Sequence, residues 1–437
     1  MIKRSTLALA AMLGALPVPA WAQAGLPDRA DSGDTAALLA AAALVLLAGL
    51  SGIALQHCGR LRPGNRMSVL LQSLSITAVV TLVWTVAGYT IAFGDVSGGW
   101  IGAGNAWMLI HLSDLRPGTA VPESAFVLFQ LAVATIAPVL MTGAWAERAR
   151  FGWVMLFSAL WTAMVAAPLA HWIWGGGWLA RSLGALDWAG GLGLFLPAGI
   201  SALVVALMMG RRLDPCPASL ADPAVQANAL SLTGSGLVWI GGIALCAGWA
   251  FSAGDAAAAA AINGHIAMAA SVVSWIGLAR LSASKDGKAG LAEPGPAVLA
   301  GLAAVATGAG FVSPGGAMLT GVVGALAAWY GKRLLARLAI DDTNAVFATA
   351  GLAAIAGSLL CALFQSVDFG GTGYAGGQTM IRQIAAQAIA IGVITIWSAV
   401  VSAIAALMAS ILFPMRVSEP AERAGLDASS HGIARSV

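Results

Sequence analysis

Long, nearly uncharged apolar runs recur along this chain, and they constrain it more than any other feature. Eleven can be counted, at 36–58, 67–93, 125–145, 153–174, 187–209, 230–251, 255–281, 291–311, 314–339, 343–365 and 379–413. About 20 apolar residues form a helix long enough to cross a hydrocarbon core. The other spanning solution is a closed β-barrel, whose strands alternate apolar and polar residues. These runs are continuous, so the expected fold class is an all-α polytopic membrane protein. Composition agrees: 9% of the 437 residues are charged, against roughly 25% in soluble domains.

The first residues, "MIKRSTLALAAMLGALPVPAWAQ", read as a signal peptide. Lys3 and Arg4 form its basic start, an apolar stretch follows, and Ala20-Trp21-Ala22 is an A-x-A ending. An uncleaved first helix is the alternative, but Pro17 and Pro19 suit a cleavage region better than a spanning helix. The expected organisation is a cleavable leader at 1–22, a transmembrane domain at 23–413 and a cytoplasmic C-terminal tail at 414–437. Eleven spans and a mature N-terminus outside put the C-terminus inside a bacterial inner membrane. Basic residues give an independent check, because they gather in cytoplasmic loops. Arg60, Arg62, Arg66, Arg148, Arg150, Arg211, Arg212, Lys332, Arg333, Arg337 and Arg416 fall on the expected inner side, against Arg29, Arg116, Arg181 and Arg382 outside. The net charge of +3 is thus an orientation signal and implies no nucleic-acid partner.

Other chemistry finds little support. The four cysteines (Cys58, Cys216, Cys246, Cys361) have no metal-like spacing, and the five histidines are scattered. No G-x-x-x-x-G-K-[ST] phosphate loop occurs. No cofactor, metal site or enzymatic constellation is expected.

Two spans begin alike. Asp187 opens "DWAGGLGLFLPAG" and Asp342 lies at the head of "DDTNAVFATAG". They belong to the fifth and tenth spans, so the two helices run in opposite directions. That is the pattern of an inverted 5+5 repeat plus a long last helix, with any transport path near the midplane. Eight residues beyond each aspartate, about 12 Å of helix rise, lie Phe195 and Ala350. A polar residue at such a position would be a functional candidate by default. Both positions are apolar.

The stretches "CGRLRPGNRMSVLLQS", "TVAGYTIAFG", "FQLAVATIAPVLMTGAWAERARF", "PLAHWIWGGGWLARSLGALDWAGG", "IDDTNAVF" and "EPAERAGLDASSHG" together resemble the ammonium transporter (Amt/Rh) family over nearly all of the mature chain. The resemblance implies a homotrimer in the lipid bilayer, one conduction path per protomer, and a tail that responds to PII-type regulatory proteins. It also assigns positions. Trp174 and Phe129 match aromatics of an outer vestibule that recruits ammonium, and Trp249 stands where a small hydroxyl residue completes that cage. Val133 and Leu245 stand at the two phenylalanine positions of the pore gate. Asp187 matches the carboxylate that orders this region, with Asp342 as its repeat partner; both are structural helix-start residues rather than proton carriers. The family's pair of central pore histidines is replaced by Phe195 and Ala350.

Without the resemblance, Trp174 would read as a membrane-interface anchor and the other apolar residues as helix packing. With it, the expected function is an ammonium or ammonia transporter or channel with a divergent pore and no histidine relay. The alternatives are a nonconducting sensor or regulatory relative, and a channel for another small neutral molecule.

Overall fold

Eleven helices follow one another where the eleven apolar runs predict them. A computed structural model describes residues 30–104, 107–110, 112–213, 223–282, 294–375 and 377–433; the expected leader and Cys216 lie outside these. The helices are α1 (Ser32–Cys58), α2 (Pro63–Phe93), α3 (Glu123–Trp145), α4 (Phe151–Trp161, carried on through Ala167–Ile173), α5 (Gly191–Met209), α6 (Pro223–Gly248), α7 (Asp255–Leu281), α8 (Gly295–Ala306), α9 (Pro314–Arg337), α10 (Phe347–Phe364) and α11 (Met380–Leu412). Nine of them are long and apolar enough to cross a membrane by length and composition. The exceptions are α8, an apolar helix of 12 residues, and α9, whose last turns carry Lys332, Arg333 and Arg337. A small hairpin pairs β1 (Asp95–Ser97) with β2 (Ile101–Ala103) beyond the end of α2.

The two halves of the chain repeat. The first helices of each half, α1 and α6, pack on one another, and so do the fifth, α5 and α10. α5 starts after Asp187 and finishes near Arg212, whose backbone N–H and guanidinium bond the Asp341 carboxylate just before α10. The end of α5 therefore meets the start of α10, and the two helices run in opposite directions. They cross where Gly199 faces Gly351: a Cβ added at Gly199 would lie 2.4 Å from the Gly351 backbone. Only glycine permits so close an approach, the usual device in lipid, where the hydrophobic effect cannot drive helix association and close packing must.

The long last helix, α11, packs along α5 and is pinned from within. Gln387 donates to the Leu186 carbonyl and the Ser358 hydroxyl, and accepts from the Leu186 N–H. Large apolar side chains point outward along the bundle, among them Leu82, Val273, Ile381, Ile396 and Ile411. In water such a surface would aggregate; in hydrocarbon it needs no partner.

The opposite end from Asp187 is knitted by charge. Glu147, held at a positive φ of 72°, accepts from the Arg62 N–H and the Asn65 amide, and receives Arg212 at 2.7 Å. Arg148 donates to the carbonyls of Ala144 and Asp341 and to the Thr343 hydroxyl. The sequence pair Glu147–Arg148 is thus structural, each member tied to other elements. Residues beyond α11 close over this end through two short helices, α12 (Glu419–Ala424) and α13 (Leu426–His431). The Asp427 carboxylate accepts from the N–H groups of Met67 and Ser68 at the start of α2, where the helix dipole favours a negative charge. Glu422 receives Arg416 and the Leu213 N–H.

Burial alone would raise the Asp341 carboxyl, but the hydrogen bonds and charge of Arg212, with Arg148 nearby, hold it below its ordinary value. A depressed carboxylate contributes stability that is full above its unfolded pKa, near 3.8, and is lost as pH falls through the folded value. Asp341→Asn should therefore lower the unfolding temperature at pH 7, and the gap from the wild type should narrow as pH falls below 4, on the order of the unfolded carboxyl pKa. A gap that does not change with pH would show that ionisation of Asp341 contributes nothing.

Candidate functional site

The Asp187 carboxylate organises one end of the bundle. One of its oxygens accepts from the N–H groups of Gly190 and Gly191, and the other from Leu192 and Gly193, all at 2.7–3.0 Å. These are the donors that a helix start leaves without internal partners. The first turn they stabilise, Gly191–Phe195, is π-helical, a wide turn that recurs at functional positions. The Asp187 backbone carbonyl meanwhile accepts from the Trp174 indole N–H at 2.9 Å. The Trp174 ring lies directly over Gly193, where an added Cβ would come within 2.4 Å of it.

Asp342 does the corresponding work at the other end. It accepts from the Phe347 N–H at 2.8 Å. The turn that follows, Phe347–Leu352, is π-helical too. The resemblance between "DWAGG" and "DDTNA" thus corresponds to one capping device used twice. Phe195 and Ala350 sit within these π turns, both buried. The Gly199–Gly351 crossing lies four residues beyond Phe195 and one beyond Ala350, so the two positions share one neighbourhood.

Over Trp174 lies an aromatic cluster. Trp249 packs against it with centroids 4.3 Å apart and planes at 37°. Phe129 meets Trp249 edge-on at 5.9 Å, and Phe251 joins both at 6.1 and 5.6 Å. The cluster continues through Phe126 to Phe93. Arg116 stands over Phe126 at 4.2 Å and Phe93 at 5.2 Å, and pairs with Glu123 at 3.2 Å. Val133 is buried one helical turn along from Phe129 on α3, and Leu245 is buried in the last turn of α6, four residues before Trp249.

Trp174, Phe129 and Trp249 are therefore in one cluster, with Asp187 beneath it. Phe195 and Ala350 lie deeper, and Asp342 is at the far end. Two participants escaped the sequence reading. Phe251 and Arg116 sit in loops, where no helical periodicity marks a face. A third residue, His57, is buried near the Asp342 end. Its Nδ1 lies 3.1 Å from the Thr142 hydroxyl, which itself donates to the Val139 carbonyl. The hydroxyl's one proton is thus used, so His57 carries its proton on Nδ1 and Nε2 keeps a lone pair. Its signal in sequence was a histidine in the last turn of an apolar helix. His171 is a packed residue, bonded through Nδ1 to the Ala92 carbonyl.

The unequal numbers of capped N–H groups make a comparison possible. Asp187→Ala should destabilise the protein by roughly 2–4 kcal/mol, on the scale of several unmade charge-assisted hydrogen bonds, and shift Trp174 emission. Asp342→Ala should cost less, since its second carboxylate oxygen has no hydrogen-bond partner. Equal losses on thermal unfolding in detergent would contradict the capping account.

Comparison with known proteins places this arrangement. Residues 36–435 match the model of the Ammonium Transporter Family. An ammonium transporter of Aquifex aeolicus is 35% identical over 407 residues, covering 92% of this chain and 93% of that protein. One of Bacillus subtilis is 32% identical, covering 92% and 97%. Among solved structures, one named "Sensor Amt Protein" superposes with a TM-score of 0.81 at 25% identity, covering 90% of this chain and 97% of the other. Saccharomyces cerevisiae Mep2 gives 0.80 at 26% identity, covering 92% of each chain.

Proposed function

The chain belongs to the ammonium transporter family, and from that premise we propose that it is an ammonium or ammonia channel of divergent pore that works without a histidine relay. The observation that carries this is the pair of π turns capped by Asp187 and Asp342, which present Phe195 and Ala350 near their crossing. Neither side chain can donate, accept or shuttle a proton. Bare ammonium entering an apolar path loses hydration worth far more than a weak site returns. Neutral ammonia carries no such penalty. The proposed species crossing the centre is therefore ammonia, with the proton left behind.

Recruitment is altered in the same direction. A cation above an open tryptophan face gains about 0.5–2 kcal/mol. Here Trp249 lies 4.3 Å from Trp174 on that cluster, so an indole competes for the space a cation would use. Val133 and Leu245 are aliphatic in place of two rings, so these positions offer a cation no aromatic face. This supports slow, electroneutral passage. It also supports a second reading, a nonconducting sensor or regulatory relative, which the likeness to the structure named "Sensor Amt Protein" favours.

The same reading carries further proposals: a homotrimer, a leader over 1–22, a bacterial inner membrane with the N-terminus outside, and a cytoplasmic tail from 414 that a PII-type protein could address. Docking of α12 and α13 at the end bearing Arg148 and Arg212 is consistent with the tail assignment.

Phe195→His with Ala350→His should create ammonium currents absent from the parent protein. No current in a folded double variant would sink the simple form of this proposal, in which only the relay is missing. Trp249→Ser should strengthen ammonium binding several-fold, on the cation–π scale of about 1 kcal/mol, measured by Trp174 quenching; unchanged binding would remove Trp249 from the account.

A further inference from the structure

Inward of Ala350 lies a polar pair that the pore account leaves unused. His57, in the last turn of α1, is only 2% exposed. Its Nδ1–H is spent on the Thr142 hydroxyl, so its Nε2 presents a lone pair. Three side chains converge on α3 beside this ring. A Cβ added at Gly143 would lie 2.8 Å from His57 Cε1, 2.8 Å from Val346 Cγ2 and 2.9 Å from Asn344 Cβ. Val346 comes about one helical turn before Ala350, on the same side of α10. His57 and Asn344 thus flank the inward continuation of the region of Phe195 and Ala350.

Asn344 is the unusual member. It is 3% exposed, and among the described residues neither its amide N–H nor its amide carbonyl has a hydrogen-bond partner. Its backbone is fixed: the N–H donates to the Gly143 carbonyl at 2.9 Å, and the carbonyl accepts from Arg60 at 3.1 Å. A buried amide unmet as donor and as acceptor is costly. It calls for a guest that both gives and takes hydrogen bonds.

Ammonium is the wrong guest, because it carries only donors and would leave the Asn344 N–H unmade. Ammonia has a lone pair for that N–H, and its own N–H groups suit the Asn344 carbonyl and the His57 Nε2. Water satisfies the same groups and is the competitor that ammonia must displace. We propose that His57 Nε2 and the Asn344 amide form an inner binding site for neutral ammonia, about one turn beyond Ala350. The proposal rests on the reading of this chain as an ammonia channel, and it supplies a polar contact beyond the apolar pair. Both amide atoms are buried, so the Asn344 side chain turns to admit the guest.

NMR of the full-length protein in detergent, with isotopically labelled histidine, tests it. Ammonium chloride is the probe and sodium chloride the control. The His57 Nε2 resonance, identified by its loss in His57→Phe, should shift and saturate with the first salt and stay in place with the second. Below the ammonium pKa, half-saturation in total ammonium should fall about tenfold per unit rise in pH, as the neutral fraction grows. Asn344→Leu, which neither donates nor accepts, should raise half-saturation roughly two- to tenfold, the scale of one net hydrogen bond. Asn344→Ser keeps a donor and an acceptor; it should give a smaller rise, and it guards against misfolding of the leucine variant. Half-saturation that ignores pH would make ammonium the ligand and overturn the proposal. So would the absence of a shift, which leaves water as the occupant, or a shift that both Asn344 variants leave unchanged. The readout is binding and not flux. A saturating shift in a protein that passes no ammonia would contradict the channel reading alone, whereas flux without a shift would contradict this site alone.

Discussion

One carboxylate holding four backbone N–H groups is the interaction on which the start of α5 and the aromatic cluster beside it depend. A helix that starts inside a membrane protein exposes donors that hydrocarbon cannot satisfy. Asp187 takes those of Gly190 through Gly193, and this frees α5 to begin with a wide π turn of glycines and apolar residues. The same residue anchors Trp174 through its carbonyl, so the cap and the aromatic wall are one construction. Asp342 repeats the device for α10 with the direction reversed. With both helices started in this way, Gly199 and Gly351 can approach until their backbones touch.

The other end of the molecule is fixed by a different balance. Glu147, Arg148, Arg212 and Asp341 are largely buried, and each charge has several partners. Isolated buried charges would destabilise the fold; a connected set returns the cost of desolvation through hydrogen bonds and mutual attraction. Residues after α11 join this set through Glu422 and Asp427. The tail is thereby coupled to α2 and to the segment between α5 and α6. A signal that moved the tail would be felt at the start of α10, because Arg212 bridges Glu147 to Asp341.

Much of the fold was legible because lipid enforces simple rules. Continuous apolar runs and the skew of basic residues gave eleven helices, and the matching Asp187 and Asp342 segments gave the reversed halves. The site was legible only in part. Trp174, Phe129 and Trp249 could be grouped through the family resemblance, and the structure does bring them together. The four-fold capping by Asp187 was beyond reach, since a π turn has no distinct sequence period. Phe251 and Arg116 lie in irregular segments, where spacing says nothing about direction. The cavity beside Trp275 and Trp329 joins Arg60 to Lys332 across some 270 positions of sequence, a pairing that only tertiary structure could reveal.

The central claim is that ammonia crosses the region of Phe195 and Ala350 without its proton. The most direct measurement is an ammonium jump on purified protein in liposomes, recording charge movement and internal pH together. The account predicts internal alkalinisation faster than in empty liposomes, with no accompanying current. A current that scales with ammonium concentration would contradict it, because it would show that net charge crosses.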